Sequence, residues 1–284
     1  MKVLRSVFSS ILILFLFLIS LSSVVFSCTK TENVHDTTTT VITDTIVTKD
    51  TVYDITDGLV AYFNFNGGTL KDSSGLHNDI FLNSATMTTD RFGNANNAYL
   101  FDGTSSYMTV KNSSSLNPSN ITLFAIIKVN GFYTGSCDGN QVLSKGYPYN
   151  INGFYSIQFF DYSSNCGVPP TNINNETFSA IYGDDNPQGA GAGVWANSVI
   201  IKTGTWYYLT YTYDGTTAKF YINGQLKNSV NKSVPFTPNT NDLFIGKHEN
   251  PPFPYYFNGV IDEIRIYNKA LKPGAVLVLS NLKE

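Results

Sequence analysis

The stretch Tyr256-Phe257-Asn258-Gly259-Val260-Ile261-Asp262-Glu263-Ile264-Arg265-Ile266-Tyr267-Asn268, close to the end of a 284-residue chain, decides how the rest is read. With the two-residue alternation of a strand, Val260, Asp262, Ile264 and Ile266 share one face, and Ile261, Glu263, Arg265 and Tyr267 the other. Asp262 then stands in an apolar row. A carboxylate placed there must be met by a cation or by backbone N–H groups, or give up its charge. Glu263 and Arg265 fall on what this reading makes the wetter face, where their pairing contributes little.

Other strands flank this one. Leu59-Val60-Ala61-Tyr62-Phe63-Asn64-Phe65 alternates before a turn at Asn66-Gly67-Gly68. Trp206-Tyr207-Tyr208-Leu209-Thr210-Tyr211-Thr212-Tyr213 runs to a turn at Asp214-Gly215 and returns through Ala218-Lys219-Phe220-Tyr221-Ile222. Asn223-Gly224, the pair favoured in type I′ turns, then reverses the chain again. Pro273 opens a short final helix. The 18 Tyr and 20 Phe favour strands over helices, and most of them must fill the space between two sheets. Only 14% of residues are charged and the net charge is −3, so no basic surface of the kind nucleic acid requires is present.

The closing stretch from Gly259 through Asp262-Glu263 to Ala270-Leu271 resembles the last strand of laminin-G-like domains in the concanavalin A-like lectin and glucanase superfamily. The opening segment is similar to the same family: the Leu59 strand, Asp72-Ser73-Ser74-Gly75, Arg91-Phe92-Gly93-Asn94-Ala95 and Tyr99-Leu100-Phe101-Asp102-Gly103 follow in its order and spacing. The resemblance implies an all-β fold, a jelly-roll β-sandwich of two antiparallel sheets with a short C-terminal helix, over residues 57–284. Residues 131–193 match poorly and read as elaborated loops.

Residues 1–27 read as an export signal, with Lys2 and Arg5 ahead of an uncharged apolar run. The run ends at Val25-Phe26-Ser27-Cys28, which resembles the bacterial lipoprotein box, and this implies acylation of Cys28 and a bacterial envelope location on the outer membrane. An uncleaved membrane anchor is the plainer alternative. Residues 28–56 form a Thr-rich tether. Its Asp-Thr tripeptides resemble O-glycosylation acceptors at Thr37, Thr45 and Thr51; a low-complexity spacer explains them equally well. With Cys28 lipidated, Cys137 and Cys166 are the two cysteines left, and an oxidising exported setting makes a bridge between them the default.

The superfamily includes glucanases, which place paired carboxylates on one strand face. The five glutamates (Glu32, Glu176, Glu249, Glu263, Glu284) start no such pattern, and Asp262 and Glu263 are adjacent and so point apart. An enzyme is not expected. The family often holds one structural calcium, which implies Ca²⁺ between Asp262 and Asp72 as the partner for the inward acid. Ligand recognition falls to aromatic residues beside stiff or small neighbours: Tyr147 and Tyr149 around Pro148, Trp195 after a Gly-Ala run, and Phe253 and Tyr255 among prolines. Rings held in this way can stack on sugars or simply pack down long loops. The chain is therefore expected to be a membrane-anchored, non-catalytic binding module for carbohydrate. Alternatives are a protein-binding or structural envelope module with a cell-surface protein as partner, and an accessory to polysaccharide degradation.

Overall fold

The computed structural model describes residues 52–133, 139–146, 151–161, 176–185, 191–196, 199–249 and 253–283. Cys28, Thr37, Thr45, Thr51, Cys137, Cys166, Tyr147 and Tyr149 lie outside the described residues. In chain order the strands are β1 (Leu59–Phe63), β2 (Ile80–Asn83), β3 (Thr86–Thr88), β4 (Ala98–Asp102), β5 (Met108–Val110), β6 (Ile121–Val129), β7 (Asn140–Lys145) and β8 (Ile151–Asp161). There follow β9 (Glu176–Asp185), β10 (Val194–Trp195), β11 (Trp206–Tyr213), β12 (Thr217–Ile222), β13 (Gln225–Asn231), β14 (Leu243–Ile245), β15 (Asn258–Tyr267) and the helix α1 (Pro273–Leu279).

They form two antiparallel sheets, as the jelly-roll reading expected. The first runs β13-β12-β11-β6-β15-β4-β3, with β1 also on β15; the second runs β10-β9-β8-β7-β14-β5-β2. Between them lie Phe63, Phe101, Tyr155, Phe159, Phe178, Tyr182, Tyr211 and Phe220, all buried, so rings do fill the inter-sheet space. The β12–β13 turn has φ of 52° at Asn223 and 75° at Gly224, the left-handed pair a type I′ turn needs.

Where elaborated loops were expected, the described part of residues 131–193 contains three strands, which corrects the sequence reading there. These are β7, β8 and β9, the middle of the second sheet. In β8, Tyr155, Ile157 and Phe159 enter the core while Ser156 and Gln158 alternate with them. Small polar residues on the outer face make such a strand look like a loop.

β15 is the strand the first sheet is built around. It pairs with β6 along one edge; on the other it pairs with β4 from Asn258 to Ile261 and with β1 from Ile264 to Tyr267. At the handover the register with β6 shifts between Ile261 and Glu263, which makes Asp262 the extra residue of a bulge. The unbroken alternation expected for this stretch therefore fails. Ile261, Ile264 and Ile266 enter the inter-sheet core, whereas Val260 stands beside Leu100 and Lys128.

The bulge receives Arg91 from the β3–β4 connection. The Arg91 backbone N–H donates to Asp262 Oδ2 at 3.0 Å, and the guanidinium Nη1 lies 2.9 Å from the same oxygen, with both side chains buried. Arg265 donates to Glu263 Oε1 at 2.6 Å and lies over the Tyr62 ring, while Arg91 lies between Phe92 and Tyr208. The Glu263–Arg265 pair is thus buried, not on a wet face. Beside it, Ile55, Phe124, Ile126, Tyr221 and Tyr267 pack with Val276, Val278 and Leu279 of α1. Tyr267 donates to the carbonyl of Ile55 at 2.9 Å, so the packed domain reaches back past the expected start at Asp57.

These contacts bear on the calcium expectation. Asp262 faces a cation already, and Asp72 accepts from the backbone N–H groups of Tyr62, Ser74 and Asn78 and from the Ser74 hydroxyl, all within 2.9 Å. Both Asp72 oxygens are taken by donors, and Asp262 Oδ2 by Arg91. N–H and hydroxyl donors and a guanidinium around these carboxylates do not fit a calcium ion shared by Asp262 and Asp72, which needs oxygen ligands. Chelation with EDTA is expected to leave the melting temperature unchanged; a fall on chelation that calcium reverses contradicts this.

Burial pushes the Asp262 carboxyl up to about 6 despite Arg91. The Arg91 Nη1 contact is close without being aligned as a hydrogen bond, which fits an ion pair that offsets desolvation only in part. Since the folded state keeps this proton above the pH at which the unfolded chain releases it, the Asp262 contribution to stability is full below about pH 4 and is lost as pH rises to about 6. His248, pushed down to about 4, adds an opposing rise over the same window to both proteins, so urea unfolding should show wild type losing stability relative to Asp262→Asn as pH rises from about 4 to 6. Arg91→Met, which leaves the acid buried beside no cation, should cost about 3 kcal/mol at neutral pH in the same assay.

Candidate functional site

The outer face of the second sheet is built from the alternate residues of strands whose other residues fill the core. Ala180, Ile157 and Leu143 point inward. Ser179, Ile181, Ser156, Gln158 and Ser144 beside them therefore face out, and Gln141, set off from Leu143 by a bulge at the buried Val142, joins that face through its bond to Gln158. Across the strands these form two rows. One runs Trp195, Ser179, Gln158, Gln141, each paired with the next; the other runs Ile181, Ser156, Ser144, Phe244, Thr109.

The rows are polar and yet covered. Ser156 is 0% exposed, Ser179 2% and Gln141 1%. The Gln141 amide donates to Gln158 Oε1, and Ser144 Oγ donates to the Lys247 carbonyl at 3.3 Å. Ser156 Oγ, Ser179 Oγ, Gln141 Oε1 and Thr109 Oγ1 have no hydrogen-bond partner in the protein. A buried polar atom left in this state costs about 1–3 kcal/mol, so native folds keep few of them. Four on one face of one sheet concentrate that cost, and solvent reaches none of the four; the accessible side chains in the two rows are Gln158, Ile181, Phe244 and Trp195.

Aromatic side chains stand at both ends of the first row. On the edge strand β10, the half-buried Trp195 meets Phe160 edge-on at 4.4 Å. At the β7 end, the Gln141 backbone N–H donates to the Tyr255 carbonyl at 2.9 Å. Tyr255 has a φ of 47°, a left-handed backbone that costs a bulky residue about 1–2 kcal/mol. Neighbouring main-chain bonds hold it there, His248 N–H to the Pro254 carbonyl and Phe257 N–H to the Gly246 carbonyl. Its ring packs against Tyr133, His248 and Phe253, the last 39% exposed, and a Cβ at Gly139 would come within 3.0 Å of it. Burial, helped by the Lys247 charge, pushes the His248 imidazole down to about 4, so it is neutral at physiological pH.

Of the aromatic residues expected from sequence, the structure puts Trp195 and Tyr255 at opposite ends of one row, with Phe253 beside Tyr255. Sequence reading missed Ser179, Gln158, Gln141, Ser156, Thr109 and Tyr133. A signal was present: Ser156 and Gln158 alternate with Tyr155, Ile157 and Phe159. The carboxylates Asp262 and Glu263 belong to the other sheet and are held by arginines.

The family model Laminin_G_3, described as the concanavalin A-like lectin/glucanases superfamily, matches residues 102–277. No curated protein sequence matches the chain significantly. Among solved structures, domain 4 of AbnA, a GH43 extracellular arabinanase from Geobacillus stearothermophilus in complex with arabinotriose, is similar with a TM-score of 0.54 and 22% identity, over 78% of this chain and 98% of that one. The binding domain of Paraclostridial Mosquitocidal Protein 1 is similar with a TM-score of 0.60 and 16% identity, over 80% of this chain and 53% of its own. The botulinum neurotoxin serotype D binding domain gives 0.57 and 15%, over 80% and 51%. The chain thus spans about half the length of these toxin domains, and identities this low speak for the fold alone. The family match covers more than half of the sequence: the chain belongs to the concanavalin A-like lectin/glucanases superfamily, and its folded part is a lectin-like jelly-roll domain.

Proposed function

We propose that this chain is a non-catalytic carbohydrate-binding module, tethered to a bacterial envelope through Cys28 and the Thr-rich segment that follows. The observation that carries the reading is a neutral row on one sheet face whose accessible groups are the half-buried Gln158 in its middle, the half-buried Trp195 at one end, and the half-buried Tyr255 with the exposed Phe253 at the other. Sugars present hydroxyl groups that both donate and accept, together with apolar ring faces. Such a face can receive both. The arabinotriose complex of the similar arabinanase domain supports a saccharide over other small molecules. Catalysis of glycoside hydrolysis would require two carboxyl groups about 5–10 Å apart across the bond to be cut. The described residues of the two rows carry no carboxylate.

Removing a buried hydroxyl that no protein group satisfies takes away a desolvation penalty, so Ser156→Ala and Ser179→Ala should each stabilise the fold, by about 1 kcal/mol in urea unfolding. Gln158→Ala and Trp195→Ala, at accessible positions of the same row, should weaken retention on a glycan array. Glycan signals unchanged by both of these sink the assignment of this face.

A further inference from the structure

Lys145 is a buried basic group that the proposed binding face does not use. It closes β7, opposite Tyr155 of β8 and Leu243 of β14. Because Leu143, two residues earlier, lies in the core, the Lys145 side chain also enters it, and the residue is 0% exposed. Its Nζ donates to Asn239 Oδ1 at 2.5 Å, to Asn117 Oδ1 at 3.0 Å and to the Asn239 carbonyl at 3.4 Å. Among the described residues no carboxylate pairs with it: Asp242 holds Lys111 and the Asn112 N–H, and Glu249 holds the Asn241 side chain.

We propose that Lys145 and Asn239 are joined by an isopeptide bond, formed within the folded chain between the lysine nitrogen and the asparagine side-chain carbon. An amine closed off from water reacts only with what already touches it, and what touches this one is a pair of carboxamides. Nζ, as the neutral amine, attacks Cγ of Asn239. The Nζ–Cγ bond forms, the Cγ–Nδ2 bond breaks, one proton passes from Nζ to Nδ2, and ammonia leaves. No oxidant, reductant or cofactor enters the balance.

Burial supplies the nucleophile. It pushes the Lys145 ammonium down to about 8, against the opposing charges of Glu249 and Asp242, so part of the population holds the neutral amine at physiological pH. Amides are weak electrophiles, and the fold compensates by holding the two groups in contact. The Asn241 N–H, 3.0 Å from Asn239 Oδ1, meets the charge that develops on that oxygen. Asn239 is favoured over Asn117 because Nζ touches it at both its side-chain and its main-chain oxygen, the former being the nearest of the three. Pro238 and Thr240 on either side of it are exposed, which gives ammonia a way out, whereas Asn117 Nδ2 is tied to Asn112 and Ser113. The bond links the end of β7 to the segment leading into β14, 94 positions further on.

The test is peptide mapping of the purified full chain by mass spectrometry, after reduction, unfolding and digestion with trypsin. Trypsin should leave Lys145 uncut, and in most molecules the peptide carrying Lys145 should be recovered joined to the one carrying Asn239, lighter than their sum by one ammonia. Fragment ions should place the junction between Nζ of Lys145 and Cγ of Asn239. On a reducing, denaturing gel Lys145→Met should run slower than wild type, since it lacks the internal loop; this readout does not depend on whether the variant folds. Separate peptides of full mass from the wild-type chain overturn the proposal and leave Lys145 as an ammonium held by amide oxygens. A junction at Asn117 overturns the assignment to Asn239.

Discussion

The first sheet depends on one strand being shared three ways, and a buried ion pair makes the sharing possible. β15 keeps β6 on one edge throughout, but its other edge passes from β4 to β1 partway along. A strand cannot change partners without leaving backbone and side-chain groups between them. Here the bulge at Asp262 absorbs the mismatch, and Arg91, from the connection just ahead of β4, fills the gap with its main-chain N–H and its guanidinium. The arrangement fixes where β4 ends and β1 begins, and through them the placement of the opening segment. The desolvation it requires is considerable, and the raised Asp262 carboxyl reflects it.

The two sheets use their outer faces in opposite ways. That of the first sheet is closed by α1 and Ile55, and its charged groups are matched: Asp262 with Arg91, Glu263 with Arg265, Arg265 against Tyr62. Buried apolar side chains such as Val276 and Leu279 each contribute about 1.5–3 kcal/mol there. On the second sheet the groups are neutral, and several remain unmatched within the protein. Neither face is fully satisfied, since Thr210 Oγ1 and Arg91 Nε on the first also lack a partner, but the first carries its charges in pairs under a helix while the second is neutral and has no such cover among the described residues.

How far the sequence could be read follows from the same contrast. β11, β12 and β13 were legible because alternation, an Asp214-Gly215 turn and the Asn223-Gly224 pair all agree. The position of β15 was legible too, but not its faces, because a bulge inserts one ordinary residue and leaves no mark in residue type. Arg91 and Asp262 are far apart in sequence, so their contact could not be inferred from local pattern, and a calcium ion took its place in the reading. At the candidate site, Trp195 and Tyr255 stood out through their glycine and proline neighbours. Ser156, Ser179 and Gln158 did not, because a small polar residue on a strand looks the same whether it faces water or a ligand.

The groups at the ends of that row are held rigidly. A mobile ring or amide loses part of its binding free energy to ordering, whereas a group already held in place does not. Tyr255 is held in a left-handed backbone by hydrogen bonds on both sides of it, with its ring set against Tyr133 and close upon Gly139. Trp195 sits on a strand whose pairing with β9 fixes its height above the row, and its carbonyl accepts from the Asn228 side chain at 3.0 Å. Gln141 and Gln158 restrain one another. Strain at Tyr255 and unsatisfied hydroxyls at Ser156 and Ser179 each cost stability. They persist in a fold whose opposite face, clamped by Arg91 and covered by α1, supplies the surplus that lets them remain.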